Sequence, residues 1–218
     1  PRTLFPYTTL FRSLLAILWG VAFANLIKGV PIDGSINYVG NFFNLISIYT
    51  LVGGITTLLI FMFHGAIFLS LKTEGVIEER AISIAKPLGI CAIVSGVILT
   101  ILTYFQTDLF DNKFAVVSIV AALVFISLSC YLINHHKAKI AMITNGLSIA
   151  LSVAALFLGL FSRVMVSSIK PEFSLTITNA SSSPGTLLLM TKIALIFVPI
   201  VLAYQITSTC CIGGRLCR

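Results

Sequence analysis

The chain has 218 residues, of which 58% are hydrophobic and 10% charged, and its mean hydropathy is +1.07. A soluble domain carries about 25% charged residues, and a globule this apolar would have to hide more surface than its volume allows; a cytosolic enzyme, a secreted disulfide module and a disordered tail are excluded. Fourteen Lys and Arg against seven Asp and Glu leave a formal charge of +7, and because the bases sit between apolar runs their counter-charge is anionic lipid headgroups rather than nucleic acid.

Residues 1–13 (PRTLFPYTTLFRS) carry neither a core-facing pattern nor a signal-peptide layout and read as a non-native tail. Six runs then follow that are long enough to cross a bilayer, which takes about 20 apolar residues per helix. They cover residues 13–30, 45–71, 87–107, 114–134, 140–162 and 186–207. Hydrocarbon offers no partner to a backbone amide, and the runs lack the alternation of a membrane barrel, so each must be a helix. The fold class is all-α: a polytopic transmembrane helical bundle with six spans, residues 14–205 forming one membrane domain. An even count of spans puts both ends on one side. Placing the ends inside leaves nine Lys and Arg inside and five outside, and the positive-inside rule favours that orientation. Without the tails the two sides hold five each.

Between the runs, residues 71–86 form a mixed-charge connection with Lys72, Glu74, Glu78, Glu79, Arg80 and Lys86, and a short surface helix is expected there. Residues 134–139 are a tight basic turn in which His135 and His136 point to different faces, so they do not share a metal. Residues 163–185 are polar and long enough for an ordered external loop. Within the spans, Ser148, Ser152, Ala155 and Gly159 make one stripe of small residues, and Ala92, Gly96, Thr100 and Thr103 make another. Such stripes let helices approach closely in lipid. Pro199 should bend the last span. Residues 206–218 (ITSTCCIGGRLCR) break from the helix before them and read as a second non-native tail, and the spacing of Cys210, Cys211 and Cys217 matches neither a zinc nor a haem-attachment motif. Cys91 and Cys130 lie in spans, as small hydrophobes.

Several stretches carry a family resemblance. Residues 20–31 (GVAFANLIKGVP), 40–44 (GNFFN) and 51–54 (LVGG) resemble subunit II of cytochrome bd ubiquinol oxidase. Residues 173–183 (FSLTITNASSS) resemble that family's loop before its final helix, and residues 196–205 (IFVPIVLAYQ) the final helix itself. The match runs along nearly all of residues 14–205. The family subunit has more spans than this chain, so the first helices are expected to be missing. The resemblance implies a membrane subunit of a two-subunit terminal oxidase in a prokaryotic respiratory cell (inner) membrane, an enzyme that oxidises quinol and reduces dioxygen to water. It implies cytochrome bd subunit I as partner, with haem b and haem d held there, quinone as a further cofactor of the complex, and membrane lipids as surroundings. No catalytic residue, cofactor ligand or metal ligand carries over onto this chain, which is expected to be inactive alone.

His64 lies seven residues before the end of its span, roughly 10 Å deep at about 1.5 Å per residue. An intramembrane histidine is a relay, a ligand or a hydrogen-bonding contact between helices; as the lone histidine of the spans it has no second axial partner for a haem, and the interhelix contact is preferred. Lys28 and Lys192 lie near span ends, where a long stem snorkels to the surface. Asn25 shares nearly the same face as Lys28, and together they would form a polar track toward the membrane surface. Asn179 and Pro184 suit capping and a turn into the last helix. Two other classes fit the composition, a multi-pass transporter and a purely structural membrane subunit. The transporter reading requires inverted repeats and paired broken helices, which the sequence does not show.

Overall fold

The computed structural model describes residues 5–35 and 37–212. Six long helices cover the six apolar runs: α1 (Phe5–Lys28), α2 (Ile48–Lys72), α3 (Val76–Gln106), α4 (Lys113–Asn134), α5 (Ala138–Leu160) and, after the single-turn helix α6 (Ile177–Ala180), α7 (Pro184–Ile212). Each long helix contains a stretch long and apolar enough to cross a membrane. The chain is a polytopic, all-helical, multi-pass membrane protein.

Helices α1 to α5 pack in chain order, each against the next, and α2 also meets α5. The core runs through Phe63 and Ile67 of α2, Ile82, Ala85 and Ala92 of α3, Ile126, Cys130 and Ile133 of α4, and Ala141 of α5. Lipid tails are as apolar as leucine, so burial alone does not draw these helices together; close packing and interhelical hydrogen bonds must. Both are present. A Cβ on Gly20 of α1 would come within 2.7 Å of the backbone of Gly53 and Gly54, so the two helix backbones nearly touch. Ser129 and Ser148 donate from their hydroxyls to the carbonyls of Ala141 and Ala122, each at 2.8 Å, and tie α4 to α5.

Several expectations need correction. The 71–86 connection does not hold a separate surface helix: α3 starts at Val76 and runs unbroken through Pro87 for 31 residues. That is about 46 Å, well beyond a hydrocarbon core of about 30 Å. The charged turn is helical because Glu78 and Glu79 sit in its first turn, where the helix dipole favours acids, and because Ala81, Ile82 and Ala85 bury one of its faces. The sixth span does not join the bundle, since every side chain described from 184 to 207 is exposed. Hydropathy reports that a helix can span, and a lipid-facing helix scores as well as a packed one. In the α5 stripe, Ser148 and Ala155 are buried and Gly159 lies against Leu109, but Ser152 is exposed and bonds back to the Ser148 carbonyl. Helix α7 continues through Pro199. Of the two expected tails, residues 1–4 and 213–218, Cys217 among them, lie outside the described residues, as do the side chains of Cys210 and Cys211; α1 is helical from Phe5 and α7 to Ile212.

One end of the bundle is bare turns, and the other is built up. At the built-up end, α1 stops at Gly29, whose φ of +94° allows the chain to turn back beneath Val166. A short antiparallel pair, β1 (Arg163–Met165) with β2 (Leu175–Thr176), sits there with a bulge between its two pairings. The loop of residues 163–183 is ordered: Val30 pairs with Ser167, and the Ser167 hydroxyl donates to the Ile32 carbonyl at 2.9 Å. Arg163 meets Asp108 at 3.7 Å, so the α3–α4 and α5–α7 connections share this end. Single cysteines at Asp111 and Lys170 should therefore be labelled by an impermeant thiol reagent from one side of sealed vesicles, and cysteines at Arg80 and Lys137 from the other. Labelling of positions 80 and 170 from the same side would contradict this topology.

Candidate functional site

Between the five helices lies a half-open cavity of about 240 Å³. Phe23, Ile60, Leu99, Ile119, Leu123 and Leu156 give it hydrocarbon walls, and Gly20, Gly53, Ala92 and Gly96 make the room by withholding side chains. Its polar groups are hydroxyls satisfied within the protein. Thr56, Thr57 and Thr100 donate to carbonyls one turn back in their own helices. Tyr49 of α2 and Thr103 of α3 lie 3.1 Å apart, hydroxyl to hydroxyl, and close the end of the cavity nearest the built-up face. Such a lining offers contact area and almost no hydrogen bonding, so it suits an apolar guest. The third-span stripe Ala92, Gly96, Thr100 and Thr103 lines this cavity.

His64 is half-buried on α2, and its Nδ1 lies 3.0 Å from the Nδ2 of Asn145 on α5. Asn145 is completely buried, and its Oδ1 has no hydrogen-bond partner among the described residues. The two side chains form a hydrogen-bonded pair between α2 and α5, in which the imidazole tautomer sets which partner donates. Sequence reasoning named His64 and missed Asn145. The signal was available: Asn145, Ser148 and Ser152 lie at i, i+3 and i+7, a polar line along one side of α5.

The other candidates are scattered. Asn25 is buried, and its amide donates to the carbonyls of Val21 at 2.9 Å and Leu45 at 2.8 Å. The Leu45 carbonyl also accepts from the Thr50 hydroxyl at 3.0 Å, so Asn25 clasps the end of α1 to the start of α2. Lys28 ends α1, where the helix dipole favours a cation. Lys192 is exposed on α7, far along the chain from both. Asn179 completes a capping box with Thr176 at the start of α6: Thr176 N–H donates to Asn179 Oδ1 at 2.7 Å, and Asn179 N–H to the Thr176 hydroxyl at 3.3 Å. Helix α7 begins at Pro184.

The family described as cytochrome bd terminal oxidase subunit II matches residues 5–211, nearly the whole chain. The chain belongs to that family. It is 33% identical over 205 residues to the cytochrome bd ubiquinol oxidase subunit 2 of Bacillus subtilis, with 93% of this chain and 61% of that protein covered. It is 29% identical to a probable cytochrome oxidase subunit 2 of Haemophilus influenzae, over 92% of this chain and 62% of the relative. It is 26% identical to the cytochrome bd-I ubiquinol oxidase subunit 2 of Escherichia coli K12, over 91% and 62%. The chain thus spans about three-fifths of the length of these relatives. Membership and the six apolar helices together place it in the bacterial cell (inner) membrane as a multi-pass protein.

The family is named for a cytochrome, so the donor set of this chain can be tested against a haem. No group of three His, Cys, Asp or Glu side chains converges among the described residues. The spans hold one histidine, His64, and its Nδ1 is already engaged by Asn145. A haem with two axial histidines does not fit these spans.

Proposed function

We propose that this chain is the membrane partner of a haem-bearing subunit I, and that the pair oxidises quinol and reduces dioxygen to water in a respiratory chain. The observation that carries the reading is the family match over residues 5–211. The chemistry of the residues agrees with it. Moving electrons from quinol to dioxygen needs redox centres, and the described spans offer one histidine, isolated thiols and no converging carboxylates. In this reading haem b and haem d sit in subunit I, and this chain supplies bundle, lipid contact and interface. The apolar cavity between α1 and α5 would admit dioxygen or a stretch of a quinone tail, guests that need contact area and no hydrogen bonds.

The test is to purify the chain alone and together with a co-expressed subunit I. The chain alone should show no haem bands in reduced-minus-oxidised spectra and no quinol-dependent oxygen uptake; the pair should show both. Oxygen uptake by the chain, with subunit I shown absent by mass spectrometry, would overturn the proposal.

A further inference from the structure

Toward the built-up end the cavity stops at Tyr49, Thr103 and Leu109. Leu109 sits on a single 3-10 turn, Asp108–Asp111, in the α3–α4 connection, and it is that turn's one buried residue, 4% exposed. Asp108 and Asp111 of the same turn line a different space, a hollow of about 510 Å³ that opens to the surface. Lys113 and Arg163 line it as well, so its wall carries two acids and two bases, with Gly159 among them. One short turn thus borders two unlike spaces: its aspartates line the charged hollow and its leucine lines the hydrocarbon cavity.

The leucine is held in a fitted seat. A Cβ built on Gly159 would lie 2.5 Å from Leu109 Cγ and 2.8 Å from its Cδ1, so the side chain fills the notch that this glycine leaves on α5. Two contacts pin the turn over that notch. Asn112 Nδ2 donates to the Leu158 carbonyl at 2.6 Å, and Arg163 pairs with Asp108 at 3.7 Å. Farther from the built-up end the cavity wall passes through Ile126 into the packed core with Phe63, Ile67 and Ile133. An aliphatic constriction excludes water because a narrow apolar gap offers it no hydrogen-bond partner.

We propose that Leu109 is a hydrophobic plug that seals the apolar cavity from the charged hollow at the built-up end, keeping water and ions out of the space between the helices. The plug rests on the fold of this chain and not on the two-subunit reading. Gly159, Asn112 and the Arg163–Asp108 pair are its seat and its pins.

The experiment uses the full chain in sealed membrane vesicles, with every cysteine except Cys130 replaced by alanine. Thr100 lines the cavity, so Thr100→Cys places a thiol inside it. The probe is a small sulfonated methanethiosulfonate, applied from the side that labels Asp111→Cys. Thiolate is the reactive form, so labelling reports water as well as access. With Leu109 in place, position 100 should stay unlabelled. Leu109→Ala opens the gap, and Gly159→Ala pushes the leucine from its seat. Each should speed labelling of position 100 by about tenfold or more, the factor that about 1.4 kcal/mol off the barrier would give. Leu109→Met, which refills the volume, should stay within about twofold of the unsubstituted chain. Cys130 is buried in the packed core away from the cavity and should stay unlabelled throughout.

Rapid labelling of position 100 with Leu109 intact would overturn the proposal, as would equal protection in the Leu109→Ala and Gly159→Ala chains. Labelling that reaches Cys130 together with position 100 in both variants would show a general loosening of the bundle in place of a local seal, and would overturn it too.

Discussion

Replacing Gly20 by alanine should destabilise the bundle by about 2–3 kcal/mol, the upper range for forcing one methyl into a packed site. The new Cβ would lie 2.6 Å from the Thr57 hydroxyl, 2.7 Å from the Gly53 carbonyl oxygen and 2.7 Å from the Gly54 Cα. Thr57 can rotate, but the other two atoms are backbone, so α1 and α2 must separate. Separation also loosens Ala24 from Gly53 and Ile17 from Gly54, contacts that hold the same seam. The control is Gly146→Ala on α5, where nothing lies within 4 Å of the added carbon. There alanine's better helix propensity should add up to about 1 kcal/mol of stability. Unfolding in mixed micelles at rising denaturing-detergent fraction would read both effects. A Gly20→Ala protein as stable as the Gly146→Ala protein would show that the α1–α2 approach is not as close as described.

Phe63→Ala should cost about 2–3 kcal/mol by the same assay. Phe63 is completely buried, within the cluster that also holds Ile67, Ile82 and Cys130. In a water-soluble core the substitution typically costs about 3–5 kcal/mol, part of it the transfer of a ring out of water. In a bilayer the transfer part disappears, because the unfolded reference is also apolar, and only the lost contacts and the cavity remain. A second expectation separates these parts. Phe61→Ala, on the same helix but half-exposed at the mouth of the cavity, should cost less than Phe63→Ala, since lipid can replace the contacts that are lost. A large loss at position 61 in the isolated chain would mean that this face is packed within the chain itself.

The same physics explains what could be read before the fold was known. Six spans, both ends on one side, and a membrane location follow from sums over about 20 residues, and such sums are local. The family likeness was equally legible, because residues 20–31, 40–44 and 173–183 carry it in the linear order of side chains. Tyr49–Thr103, Asn25–Leu45 and His64–Asn145 were not legible as pairs, since each depends on how one helix is turned against another. Asn25 illustrates the difference. Its spacing from Lys28 is visible in the sequence, but that its amide donates to the Leu45 carbonyl depends on the fold of residues 42–47.

By itself, then, the sequence determined that this chain is helical, membrane-spanning and a member of its family. The tertiary structure alone decided that α3 begins eleven residues before Pro87, that α7 stands outside the five-helix group, and that Asn145 reaches His64. The reason is that lipid and protein interior are equally apolar solvents. Hydropathy drives a helix into the membrane but says nothing of its neighbours there, which glycine contacts such as Gly20 on Gly53 and a few buried hydrogen bonds select.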